Sequence, residues 1–201
     1  MDDSLLSFTI KRILSTGSID ITQMLVERAR KGDQQSMHRL YRMYVRAMYN
    51  VSIRIVANQL DAEDILQESF ASAFCNLKAY KGEASFGAWL KRIVINKSIN
   101  HVKKQQIWFA EVEHLSETED IPDEDDFPDD PIFDRISPEM IHEAIKTLPA
   151  KAKVVLNLYL LEDYQHRDIA GMLGISESTS KSQYQRARKL LQERLLKMVS
   201  G

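Results

Sequence analysis

The chain has 201 residues, 44% of them hydrophobic, with 27 Lys and Arg against 29 Asp and Glu. That length and apolar content suit two small domains of roughly 70 to 100 residues, each able to bury a core. A single cysteine excludes an internal disulfide, no apolar run approaches the ~20 residues that span a bilayer, and residues 1–20 lack the cationic start and apolar stretch of a signal peptide, so a cytoplasmic protein without membrane insertion is expected.

The near-neutral total hides a segregation of charge. Twelve acids and no Lys or Arg lie between Glu111 and Asp134, whereas residues 1–110 carry 16 bases against 10 acids and residues 135–201 carry 11 against 7. Two basic halves therefore flank one acidic strap.

Residues 1–20 match no recognisable pattern and read as an amino-terminal extension. Asp20 or Thr22 is placed to cap a helix running to about Lys31, where Gly32-Asp33 breaks it. A second helix follows from about Gln34, with Leu40, Tyr41, Tyr44 and Met48 at helical intervals. Asp61 reads as the N-cap of a third helix with Asp64 at its third position, and Ile65, Leu66, Ser69, Phe70, Ala73, Phe74 and Leu77 trace its buried face. Cys75, beside Phe74 and Leu77, is expected to be a core thiol. The opposite face shows Glu63, Asp64, Gln67 and Glu68, a pattern that fits a solvated surface as well as a docking one.

A loop is predicted at Ala79–Ser85 and a further helix at Phe86–Lys104. That helix offers Trp89, Leu90, Ile93, Val94 and Ile99 for burial, and Lys91, Arg92, Lys97, Lys103 and Lys104 with no acid among them. Aromatics beside cations suit single-stranded nucleic acid, because unstacked bases lie on rings while cations follow the backbone. Trp89 is read here as a core anchor and Tyr80, in the loop, as the candidate base contact.

The acidic strap, residues 111–136, contains Pro122, Pro128 and Pro131, few apolar residues and like charges that repel, so it reads as an extended linker. Beyond it, Ile169, Ala170 and Leu173 give one apolar stripe on a short helix that Gly174 closes. Ile175 fills the corner, and Ser176 caps a second helix starting near Glu177. Its early positions are hydroxyls, an amide and cations, the side chains that reach base edges and phosphates from the major groove, while Ala187, Leu190, Leu191 and Leu195 face inward. Six cations from Lys181 to Lys197 stand against the single acid Glu193. A helix-turn-helix reading duplex DNA is expected, with a solvated cationic corner as the plain alternative.

Other chemistry is poorly supported. Asp123, Asp125 and Asp129 lack the glycine and closing Glu of a calcium loop. His38, His101, His114, His142 and His166 show no metal-ligand spacing, and no glycine-rich phosphate loop is present. No catalytic residue, metal or cofactor is expected, and the chain is not read as an enzyme.

Three segments together resemble a bacterial sigma factor of the extracytoplasmic-function (ECF) type: DAEDILQESF at Asp61–Phe70, SFGAWLKRIVINKSINHVKK at Ser85–Lys104, and AIKTLPAKAKVVLNLYLLEDYQHRDIAGMLGISESTSKSQYQRARKLL at Ala144–Leu191. The likeness spans about residues 22 to 197, and its force lies in the order and spacing of the three. It implies an all-α fold of two small helical domains joined by an acidic flexible linker, the carboxy-terminal one a helix-turn-helix: region 2 at residues 21–110, the linker at 111–136 and region 4 at 137–201. It further implies a factor that binds core RNA polymerase and directs promoter recognition, melting and initiation for a stress- or envelope-responsive regulon.

The resemblance also implies roles for residues. Asp61, Glu63, Asp64, Gln67 and Glu68 would dock on core polymerase, whose largest-subunit clamp and flap are the partner surfaces. Tyr80, Lys81, Gly82, Glu83, Ala84 and Ser85 would capture an extruded base of the minus-ten element, supported by Lys91, Arg92, Asn96, Lys97 and Asn100. Ser178, Thr179, Lys181, Ser182, Gln183, Arg186 and Arg188 would read the minus-thirty-five element. Promoter DNA, both duplex and single-stranded, and an anti-sigma factor are the other implied partners. Ser180, Gln183 and Tyr184 depart from the commonest family pattern, which bears on base preference rather than fold. A helix-turn-helix repressor or activator that binds operator DNA unaided, or an interaction module, is the competing class, and a mobility shift with and without core polymerase separates them.

Overall fold

The computed structural model describes residues 21–104 and 136–200, so the predicted amino-terminal extension, the Asp20 cap and all of the acidic linker but Ile136 lie outside the described residues. Every regular element among the described residues is helical: α1 at residues 21–30, α2 at Gln34–Val56, α3 at Gln59–Cys75, a 3-10 turn at Leu77–Ala79, α4 at Phe86–Lys104, α5 at Pro138–Lys146, α6 at Ala150–Leu160, α7 at His166–Leu173 and α8 at Glu177–Ser200. The described chain divides into two units, residues 21–53 with 58–97, and residues 54–57 with 98–104 and 136–200.

In the amino-terminal unit, each helix contributes a stripe at helical spacing to one core. Leu25, Val26 and Ala29 come from α1, Leu40 and Met48 from α2, Ile65, Leu66, Phe70 and Ala73 from α3, and Phe86, Leu90 and Val94 from α4, all buried. Aromatic rings interlock the helices: Tyr41 of α2 lies 4.7 Å from Phe70 of α3, and Tyr44 meets Phe86 of α4 edge-on at 5.4 Å.

Two expectations for α3 are corrected. Its cap is Asn58, whose side-chain oxygen accepts from the Asp61 backbone N–H at 3.2 Å, so Asp61 sits at the third helical position. Asn58 is extended and caps as well as an aspartate does, so the helix starts three residues earlier, and Asp61 still lies where an acid favours the helix dipole. Cys75 is exposed, not a core thiol. It follows Ala73 by two positions, about 200° around a helix, and therefore points away from the stripe that Ala73 and Phe70 bury.

In the carboxy-terminal unit, α5, α6 and α7 each pack against α8. Leu148, Ala152, Leu156 and Ala187 form a buried cluster flanked by Ile145, Tyr184, Leu190 and Leu191. The corner is built as the sequence predicts: α7 ends at Gly174, left-handed at φ 71° and ψ 36°, and Ser176 Oγ accepts from the Thr179 N–H at 3.0 Å to open α8. Replacing Gly174 by Ala forces a Cβ into a left-handed residue and should lower unfolding free energy by about 1–2 kcal/mol in denaturant titrations of the full chain.

Candidate nucleic-acid interface

Phe86 organises the loop that precedes it. Its ring is 2% exposed at the first position of α4 and lies 5.9 Å from the Tyr80 ring and 5.8 Å from Trp89. Tyr80 and Trp89 are themselves 5.3 Å apart, so residues 80 and 89 close one aromatic cluster across the loop. Tyr44 can join it only because residue 87 is glycine: a Cβ there would sit 2.7 Å from Tyr44 Cε1. Trp89 is half-buried, sharing the core anchor role expected of it with an open edge.

Residues 81–85 are exposed, and with Tyr80 they form one wall of a cavity of about 530 Å³. The facing wall comes from α1 through Thr22, Gln23, Val26, Glu27 and Arg30, with Tyr44 and Phe86 at its base. A nucleobase fits such a volume, and aromatic faces with nearby polar groups are what an unstacked base needs. The Tyr80 hydroxyl donates to the Ala84 carbonyl at 2.6 Å, closing the loop on itself. Burial pushes the Tyr80 pKa above the ordinary tyrosine value, Tyr44 adds to the shift and Arg30 opposes it.

On α4, Arg92, Asn96 and Asn100 are exposed and fall within about 80° of one another, in line with Trp89. Lys91 lies about 100° to one side of that stripe. Lys97 lies on its other side and pairs with Glu68 of α3 at 3.3 Å, so a residue predicted for DNA meets one predicted for polymerase.

The outward face of α3 carries Glu63, Asp64, Gln67 and Glu68, all exposed, with Asp61 half-buried at its edge. Leu60 stands at the amino-terminal end of this stripe, on the same side of the helix, and is 72% exposed, an apolar side chain that the charge pattern alone did not single out. Gln59 Nε2 donates to Glu63 at 3.1 Å and steadies the first turn.

On α8, Ser178, Lys181 and Arg186 are exposed, Ser182 and Thr179 are half-buried, and Lys181 forms only an exposed pair with Glu177 at 3.3 Å. Gln183 is 4% exposed and faces the core, so it does not share the outward stripe that the sequence assigned it. Helical geometry places it about 100° from Ser182 and toward the buried Ser180 and Ala187. Lys189 is exposed and Gln185 half-buried, one turn apart below Lys181. Arg188 is half-buried, its guanidinium 5.9 Å from the Tyr184 ring centroid.

Two family models match the chain, sigma-70 region 2 over residues 40–107 and sigma-70 region 4 over residues 139–191. The chain belongs to the sigma-70 family, in its extracytoplasmic-function group. It is 27% identical over 179 residues to an ECF RNA polymerase sigma-E factor of Haemophilus influenzae, covering 86% of this chain and 94% of that one. It is 28% identical over 176 residues to the ECF sigma factor SigW of Bacillus subtilis, covering 85% and 94%. Among solved structures, the sigma factor RpoE of Bartonella quintana, crystallised with the anti-sigma factor NepR, aligns over 80% of this chain and 96% of that chain at 20% identity with a TM-score of 0.49.

The loop and the outward face of α4 fall inside the region 2 match, and α8 to Leu191 falls inside the region 4 match. Residues of α1 precede both matches, so nothing in the motif strings pointed to them. In this sigma factor the raised Tyr80 pKa extends the pH range over which the hydroxyl bond persists, and the bond is lost as pH rises through the raised value. A phenolate absorbance titration should show one tyrosine ionising later than the rest, and Tyr80→Phe should remove that late step.

Proposed function

We propose that this sigma factor binds core RNA polymerase through the outward face of α3, captures an extruded minus-ten base in the cavity between α1 and the 80–85 loop, and reads the minus-thirty-five duplex with the amino-terminal half of α8. The observation that carries the proposal is the cavity: an aromatic-floored space of about 530 Å³ at the head of a helix whose outward stripe is Arg92, Asn96 and Asn100. Extruding a base costs a few kcal/mol of stacking and pairing, and a site that recovers this makes opening depend on sequence. Cationic and amide side chains on α4 then follow the freed strand.

For duplex reading, the outward face of α8 supports Ser178, Lys181, Ser182 and Arg186, joined by Gln185 and Lys189. Gln183 belongs to the packing of the unit. Docking rests on an exposed apolar side chain at the head of an acidic stripe, Leu60 followed by Glu63, Asp64 and Glu68 with Gln67 between them, an arrangement that gives a cationic partner surface both a charge match and a buried contact. Since Glu68 is already paired with Lys97, Asp64 and Leu60 are the cleaner positions at which to test docking.

The chain acts as a specificity subunit with no active site of its own, in the cytoplasm where polymerase and chromosome are. The described residues contain no helix long and apolar enough to cross a membrane. An anti-sigma factor is the partner that withholds it until a stress or envelope signal arrives.

Purified with core polymerase, the protein should direct initiation from a subset of genomic fragments and bind the same duplexes weakly alone. Tight, specific binding without polymerase would identify a repressor instead. Asp64→Arg and Leu60→Asp should each abolish co-purification with core enzyme while leaving the circular dichroism unchanged. Lys181→Ala and Arg186→Ala should each weaken minus-thirty-five recognition by about 1–3 kcal/mol where they meet a base edge. Gln183→Ala should lower thermal stability without altering base preference, as a quantitative footprint on variant promoters would show.

A further inference from the structure

The 80–85 loop has little of its own to hold it. Its side chains from Lys81 to Ser85 are exposed, and its internal support is the Tyr80 hydroxyl bond to Ala84 and the short turn before it, where Tyr80 N–H donates to the Leu77 carbonyl at 3.3 Å. A cavity wall built this way needs an outside brace to keep one shape.

Arg30 reaches it from the end of α1. Its Nε donates to the Leu77 carbonyl at 3.2 Å, and one terminal nitrogen donates to the Tyr80 carbonyl. These two carbonyls mark the start of the turn and the start of the loop, so one planar group spans both. The other terminal nitrogen holds Glu27 at 2.7 Å, and the guanidinium lies 5.7 Å from the Tyr80 ring centroid. Three donors of the fork are thus committed within the protein, with the side chain only 27% exposed. A guanidinium used in this way positions backbone; it is not a free cation awaiting phosphate.

We infer that Arg30 is a positioning residue for base capture: its guanidinium fork braces the turn and the first loop residue, and so presets the cavity for an extruded base. The inference rests on the reading of the cavity given above. Preorganisation matters here because a loop that must be ordered at the moment of capture adds that cost to the cost of extrusion. Arg30 makes no step of recognition itself; it fixes the ring and the backbone that do.

The test uses holoenzyme assembled with full-length protein and single-stranded minus-ten oligonucleotides carrying 2-aminopurine at successive positions. With the unsubstituted protein, one position should change fluorescence on binding. Arg30→Lys and Arg30→Ala should both weaken oligonucleotide binding by about tenfold, the usual worth of a hydrogen bond to a charged group. The slope of affinity against salt, minus-thirty-five duplex binding and assembly with core enzyme should stay unchanged, since no phosphate contact is lost. Arg30→Lys carries the decision where Arg30→Ala lowers thermal stability. Recovery of full affinity by lysine, or a salt slope reduced by about one, would show Arg30 to be a phosphate contact and overturn the inference. If no probe responds with the unsubstituted protein, the base-capture reading itself falls; if one responds equally in all three proteins, only the role of Arg30 does.

Discussion

The packing of Phe86 against Tyr44, Tyr80 and Trp89 is the constraint on which the amino-terminal unit depends. It fixes where α4 begins, and through Tyr80 and Trp89 it fixes both ends of the loop that α4 follows. Three of those rings come from within ten residues, but Tyr44 arrives from the middle of α2 and needs Gly87 to make room. Core and candidate site are therefore one object: three of the four rings at the helix junction, Tyr44, Tyr80 and Phe86, also line the cavity. Burial of such rings is worth several kcal/mol, which anchors Tyr80 and the start of α4 but leaves residues 81–85 between them exposed.

What the sequence made legible follows from this division. Helices with strong stripes could be placed closely: α4 begins at Phe86 and is helical through Lys104, the last described residue before the linker, as the periodicity and the absence of breakers predict, and the corner at Gly174 and Ser176 forms through the capping chemistry those residue types supply. The start of α3 was less legible because Asn58 and Asp61 are both good caps, and only the backbone of Asn58 decides between them. Cys75 was misplaced for a related reason: adjacency to Phe74 and Leu77 in the chain suggests shared burial, but a helix turns neighbours about 100° apart.

The candidate site was less legible than the fold, for reasons of distance and of facing. Residue types on α8 suggested a reading helix, yet which of Ser178 to Arg188 look outward depends on the phase at which α8 packs on α5, α6 and α7. A polar Gln183 can face inward, and it does, beside Ser180, which is wholly buried. The α1 wall was invisible because Arg30 and the carbonyls it holds are 47 and 50 positions apart, and an arginine bound to backbone oxygens leaves no pairwise side-chain signature. Leu60 was passed over because a single apolar residue among acids looks like noise until its exposure is known.

The two DNA sites of the proposed function call for different supports, and the structure differs between them accordingly. Duplex DNA presents a groove of fixed dimensions, so a helix with side chains on mobile stems can adapt to it. Lys181, held only by an exposed pair with Glu177, is free to exchange that partner for a phosphate at little cost. An extruded base arrives after stacking and pairing have already been lost, and any further ordering of the protein would add to that cost. A rigid cavity is the economical solution at the second site and an unnecessary one at the first. That contrast matches the difference between Lys181, whose pair with Glu177 is exposed, and the 80–85 loop, which is tied across by Tyr80 and at its root by a guanidinium from another helix.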